Sequence, residues 1–306
     1  MSSPRVRGDH EPSAATFIVD NAGTRMSADD LNDQDIGKWL WFDPAIVGDL
    51  LKLRTGMLSW YTHDTGELIG EYGYNIHFGI NSLGFINVHA YDIAKLSEWH
   101  RLIWAARNVY PQGGLSTELA DSQIRAKPAE TTAPEALFPR VLEELDDLSE
   151  TVWGFRLFLQ HSIDHALISS IQRFRATERA SILELAKDIA RLTADRLDVA
   201  ALHRLAPPTG EQGKGSLKSL ERALATIVGA ADARHKLTVL AGIYELRLGS
   251  AHLPSGSIDD AFVMAGIDNN APANTQALNL IQNLADPLIE IGNVIQPAKP
   301  AGQEDA

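Results

Sequence analysis

The chain has 306 residues and a mass of 33.4 kDa, more than one ordinary domain of roughly 100–200 residues, which favours two domains. With 44% hydrophobic, 22% charged and 7% aromatic residues, the composition excludes a collagen, a fully disordered chain and a disulfide miniprotein, and the absence of Cys excludes thiolate nucleophiles, Cys-ligated zinc and iron–sulfur clusters. The formal charge of -13 is uneven, with 12 Lys or Arg against 23 Asp or Glu in residues 1–150 and 15 against 17 in residues 151–306, so the nearly neutral C-terminal half is the better host for a nucleic acid.

Residues 1–15 are polar and read as a frayed tail, and no run of 18 apolar residues occurs anywhere. With no secretory signal at this N-terminus, a soluble cytoplasmic protein with no membrane partner is expected. Residues 16–121 read as a small α+β domain. It opens on a short strand (TFIVD) and continues through a Trp-rich stretch, residues 39–53, that reads as helical.

Residues 75–91 (NIHFGINSLGFINVHAY) alternate apolar with polar or small side chains, the signature of two strands. A three-residue loop at Ser82, Leu83 and Gly84, with Gly84 at positive φ, sets Asn81 against Phe85. Both strands then agree on one apolar face, made of Ile76, Phe78, Ile80, Ile86, Val88 and Ala90. The same register sets His77 opposite His89, a candidate ligand-binding or metal platform whose plainer alternative is two imidazoles on a solvated face. Residues 93–109 read as a helix, and the segment 122–136 (SQIRAKPAETTAPEA), with two Pro and no apolar period, reads as a linker.

From residue 137 the apolar period becomes helical. Helices are expected over residues 137–150, 153–174, 178–205, 216–248, 257–266 and 275–295, giving an all-α bundle over 137–296 and a disordered tail over 297–306. No strand is expected in this half.

No GxGxxG, P-loop, GxSxG or HExxH string is present, so no nucleotide cofactor, and no cofactor of another kind, is expected. His161, Asp164 and His165 in HSIDH could share a helix face as a weak metal candidate that still needs a fourth ligand. The stronger string is RLGSAH, Arg247 to His252. Gly249 and Pro254 break the helix there, so the chain can turn and bring the imidazole of His252 back beside the guanidinium of Arg247. Arg is suited to bidentate phosphate recognition, and His titrates near neutrality.

A bundle of this size with Arg, four residues and His at the junction before its last helices resembles the HEPN superfamily. Many of its members are metal-independent endoribonucleases of toxin–antitoxin, CRISPR and anti-phage systems. The resemblance covers residues 137–296 and implies an RNA-cleaving site at a homodimer interface. There His252 would act as general base or acid, Arg247 would stabilise the phosphorane, and Ser250 would contact a phosphate. Leu248 stands where catalytic members carry Asn, Asp or His, which leaves open a non-catalytic HEPN-like binding, sensor or scaffold protein that works with a protein partner such as an antitoxin or defence component. The N-terminal half, with WYTHDTG at 60–66, is similar to uncharacterised bacterial proteins and borrows no chemistry from them.

Overall fold

The computed structural model describes residues 14–33, 35–54, 56–69, 75–127, 129–160, 164–208, 215–249 and 255–296. The chain divides into two compact units, residues 1–133 and 134–306.

In the first unit, β1 (Thr16–Ile18) and β2 (Arg25–Ser27) form a two-stranded antiparallel ribbon. Its turn is tied by Asp20, whose carboxylate accepts the backbone N–H groups of Ala22 and Thr24. Next come β3 (Trp39–Phe42), α1 (Ala45–Leu51), β4 (Met57–Trp60), β5 (Thr65–Ile69), β6 (Asn75–Ile80) and β7 (Ile86–His89). They are followed by α2 (Ala90–Ala94), α3 (Glu98–Arg107), β8 (Asn108–Val109) and α4 (Thr117–Arg125). The strands make one antiparallel six-stranded sheet in the order β4-β5-β6-β7-β3-β8.

The expected hairpin is present in its expected register. Phe78 pairs with Val88 and Ile80 with Ile86, the Asn81 N–H bonds the Phe85 carbonyl, and Gly84 has φ +82°. Leu40, Phe42, Ile76, Phe78, Ile80, Ile86 and Val88 are all buried on the apolar face. Trp104 of α3 meets the Phe42 ring edge-on at 4.7 Å, so burying this face against helices supplies the core.

Three expectations for this unit are corrected. The stretch at 39–53 is a strand followed by a helix, because Leu40 and Phe42 alternate inward while Trp39 and Trp41 point the other way. The helix expected over 93–109 is split at Lys95 and Leu96, and Asn108 and Val109 join the sheet instead. The second sheet face is not simply solvated: Asn87 is fully buried and accepts the Ser116 N–H, and a Cβ on Gly79 would sit 2.5 Å from that of Ser116. Only this close approach lets α4 lie on the sheet.

The second unit is helical, with α5 (Pro134–Trp153), α6 (Asp164–Ser169), α7 (Arg179–Leu192), α8 (Val199–Leu205), α9 (Ser216–Val228), α10 (Ala230–Lys236), α11 (Thr238–Gly249), α12 (Ser255–Met264) and α13 (Ala273–Ile295). Short 3-10 turns occupy Arg173–Arg175 and Ala194–Arg196. Pro134 starts α5 at the position where a missing N–H costs nothing, whereas Ser122 to Arg125 belong to α4, so the non-helical connection is shorter than 122–136. One core runs through Phe138, Leu145, Leu185, Ile189, Leu240, Ile243, Leu284 and Ile291.

The expected single helices are subdivided. Residues 216–248 form three helices, broken at Gly229, with φ +86°, and at Leu237. After Trp153 the chain leaves the helix at Gly154, with φ +79°, and runs out so that Phe158 bridges Leu197. Asp146 and Ser149 of α5 fasten this return, the first by accepting the Phe158 N–H and the second by donating to the Phe155 carbonyl. That bridge is the one β-type pairing outside the named strands among the described residues of this unit. No helix among the described residues is long and apolar enough to cross a membrane.

Candidate functional site

Arg247 lies in the last turn of α11, whose inner side is anchored by the buried Leu240, Ile243 and Leu246. Its guanidinium donates through Nη1 to the Asp195 carboxylate and lies 5.1 Å from the centre of the Tyr244 ring. Asp195 belongs to the 3-10 turn that follows α7, so the pair clasps the end of α11 to the end of α7. Neither side chain is more than about one third exposed. Burial pushes the Asp195 carboxyl above its ordinary value despite the opposing charges of Arg247 and Arg191. Asp259, on the following helix α12, pairs with Arg179 at 2.6 Å.

Ser250 and His252 lie outside the described residues, as does His161. Asp164 and His165 fall at the start of α6, but their side chains also lie outside the description. Of the expected catalytic set, the structure therefore describes Arg247 and its surroundings alone. α11 is described as far as Gly249, so the break expected there falls at the edge of the described residues.

His77 and His89 are on the central strands β6 and β7, at level positions of one register. They face different neighbours. His89 meets Trp39 of β3 edge-on at 5.2 Å, while His77 meets Tyr61 edge-on at 5.3 Å. His77 is also paired across the sheet with Glu67 of β5, with Nε2 3.8 Å from the Glu67 carboxylate. The Tyr61 hydroxyl lies 3.4 Å from the same Nε2. Partial burial, and then the Glu67 carboxylate that accepts the phenol proton in a hydrogen bond, push the Tyr61 phenol up to about 12. Asn75 donates to Glu67 at 2.9 Å and fixes the carboxylate from the other side.

The tight turn that places Tyr61 is held by Glu118 of α4. Its carboxylate accepts the hydroxyls of Thr62 and Thr131 and the backbone N–H of Asp64. The string WYTHDTG is thus the end of β4, a pinned turn and the start of β5. Tyr61 and Glu67 were not singled out from the sequence. The usable signal was the turn-forming HDTG between MLSW and ELI, which marks a second hairpin and levels Glu67 with a residue of the next strand. No family model, no curated protein and no solved structure matches this chain.

Proposed function

We propose that the helical unit is a non-catalytic HEPN-like binding module, working beside a protein partner in a bacterial toxin–antitoxin or anti-phage system. The observation that supports this reading is the Arg247–Asp195 ion pair. A ribonuclease of this type needs its guanidinium available to the charge that develops on phosphorus. Here the guanidinium is shared with a carboxylate from a neighbouring turn, which also sets a negative charge where a phosphate would have to arrive. Leu248, exposed beside the pair, offers no polar group to such a ligand.

The second reading, a metal-independent endoribonuclease with Arg247, Ser250 and His252 at a homodimer interface, is favoured by one feature. Arg247 stands in the last described turn of α11, where the RLGSAH string begins.

The stability of Arg247→Ala separates the two. As a clasp, Arg247 should lower the unfolding free energy by about 1 kcal/mol when removed, since a half-buried carboxylate loses its partner. As a catalytic group its removal should leave stability unchanged or raised, because active-site groups are kept at a cost to the fold. Chemical denaturation of the two proteins decides between these outcomes.

A further inference from the structure

In the Tyr61, Glu67 and His77 cluster, the two separations from the imidazole are close to those of a metal site. Zinc bound tetrahedrally by nitrogen and oxygen at about 2.0–2.2 Å sets its ligand atoms about 3.4 Å apart. The His77 Nε2 lies 3.4 Å from the Tyr61 hydroxyl and 3.8 Å from the Glu67 carboxylate. All three donors are fixed from outside the cluster: Glu67 and His77 by the β5–β6 register, and Tyr61 by the turn that Glu118 holds. Tyr61 and His77 are each about half exposed, which leaves the solvent side open to a fourth ligand. Among the described residues no three His, Asp or Glu side chains form a ligand set, and the third donor in this cluster is a phenol oxygen.

We propose that Tyr61, Glu67 and His77 form a binding site for one first-row divalent cation of the zinc class, with an open coordination position facing solvent. One imidazole and two oxygens form a mixed donor set suited to zinc or its neighbours rather than to magnesium or calcium. Binding exchanges the phenol proton for the metal: the Tyr61 O–H bond breaks, a metal–oxygen bond forms, and one proton passes to solvent. The site is then neutral, because a dication meets one carboxylate, one phenolate and one neutral imidazole.

The test is a titration of the tag-free full chain, freed of metal with EDTA, with zinc chloride. Calorimetry should show one zinc per chain at micromolar concentrations, and the ultraviolet difference spectrum should show one tyrosine ionising as zinc is added. Glu67→Gln and His77→Gln should each weaken binding about ten-fold or more. Tyr61→Phe should remove the tyrosinate signal, and the double variant His161→Ala/His165→Ala should bind as the parent does. No binding in the micromolar range, or binding with no ionised tyrosine, would overturn the site. Binding that survives His77→Gln but is lost in the His161/His165 variant would overturn it as well. The tyrosinate signal needs only the parent protein, so a variant that misfolds leaves the test intact.

Discussion

Glu135 of α5 and Arg173 of a later 3-10 turn show how much a single buried group decides. Glu135 and Arg173 are almost wholly buried and meet as a two-pronged ion pair, Nε to Oε1 at 2.7 Å and Nη2 to Oε2 at 2.8 Å, with the Arg173 N–H on the same carboxylate. Removing one partner leaves a charge in a dry interior, so Glu135→Ala should cost about 3–5 kcal/mol of unfolding free energy. Replacing both by apolar residues of similar volume, as in Glu135→Leu/Arg173→Met, should recover most of that loss; equilibrium urea unfolding reads both. Asp146 is a different case. Burial raises its pKa above the ordinary value even though it accepts the Phe158 N–H and lies near Arg156 and Arg196. A raised carboxyl favours the folded state while it is protonated, and that contribution is lost as pH rises through the folded value. Asp146→Asn keeps the acceptor and removes the titration. It should therefore flatten the decline in stability as pH rises above the ordinary carboxylate value, seen as unfolding midpoints across an acid-to-neutral series. Asp49 and Glu221 carry the opposite sign. Their pKa values are lowered by ion pairs with Arg107 and Lys52, and with Lys218 and Arg234, against the effect of burial, so their contribution is present at neutral pH and fades on acidification.

Among the elements, contact between α4 and the sheet depends on Gly79. A methyl group there would overlap Ser116 and Leu119, so Gly79→Ala should lower unfolding free energy by about 1–3 kcal/mol. Because α4 also carries Glu118, the same change should loosen the Tyr61 turn, visible as faster amide exchange at Asp64. The hairpin at 75–91 was legible because period-2 alternation, a glycine at the loop and two strands in one register all agreed. The Trp39–Phe42 strand was not, since the same four residues fit a helix pattern until their partners in β7 and β8 are known. The non-helical stretch after Gly154 and the helix break at Gly229 were missed for a related reason. A glycine inside an apolar helical period is compatible with either continuation or a stop, and tertiary bonds such as Asp146 to Phe158 decide it. At the candidate sites, the sequence singled out Arg247 and His77. It could not supply Asp195 or Glu67, which come from segments 52 and 10 residues away and meet them only through folding.

At the level of the whole molecule, two independently packed units share the chain, and the negative charge is divided almost evenly between them. The central claim is that the clasp of Arg247 by Asp195 makes the helical unit a binding module rather than a nuclease. The most direct test is incubation of the full chain, and of Asp195→Asn, with mixed RNA in EDTA, followed by gel analysis of the products. The account predicts intact RNA from both proteins, since freeing the guanidinium would not by itself create a cleavage site. Fragments ending in 2',3'-cyclic phosphate, produced by either protein and abolished by His252→Ala, would contradict it.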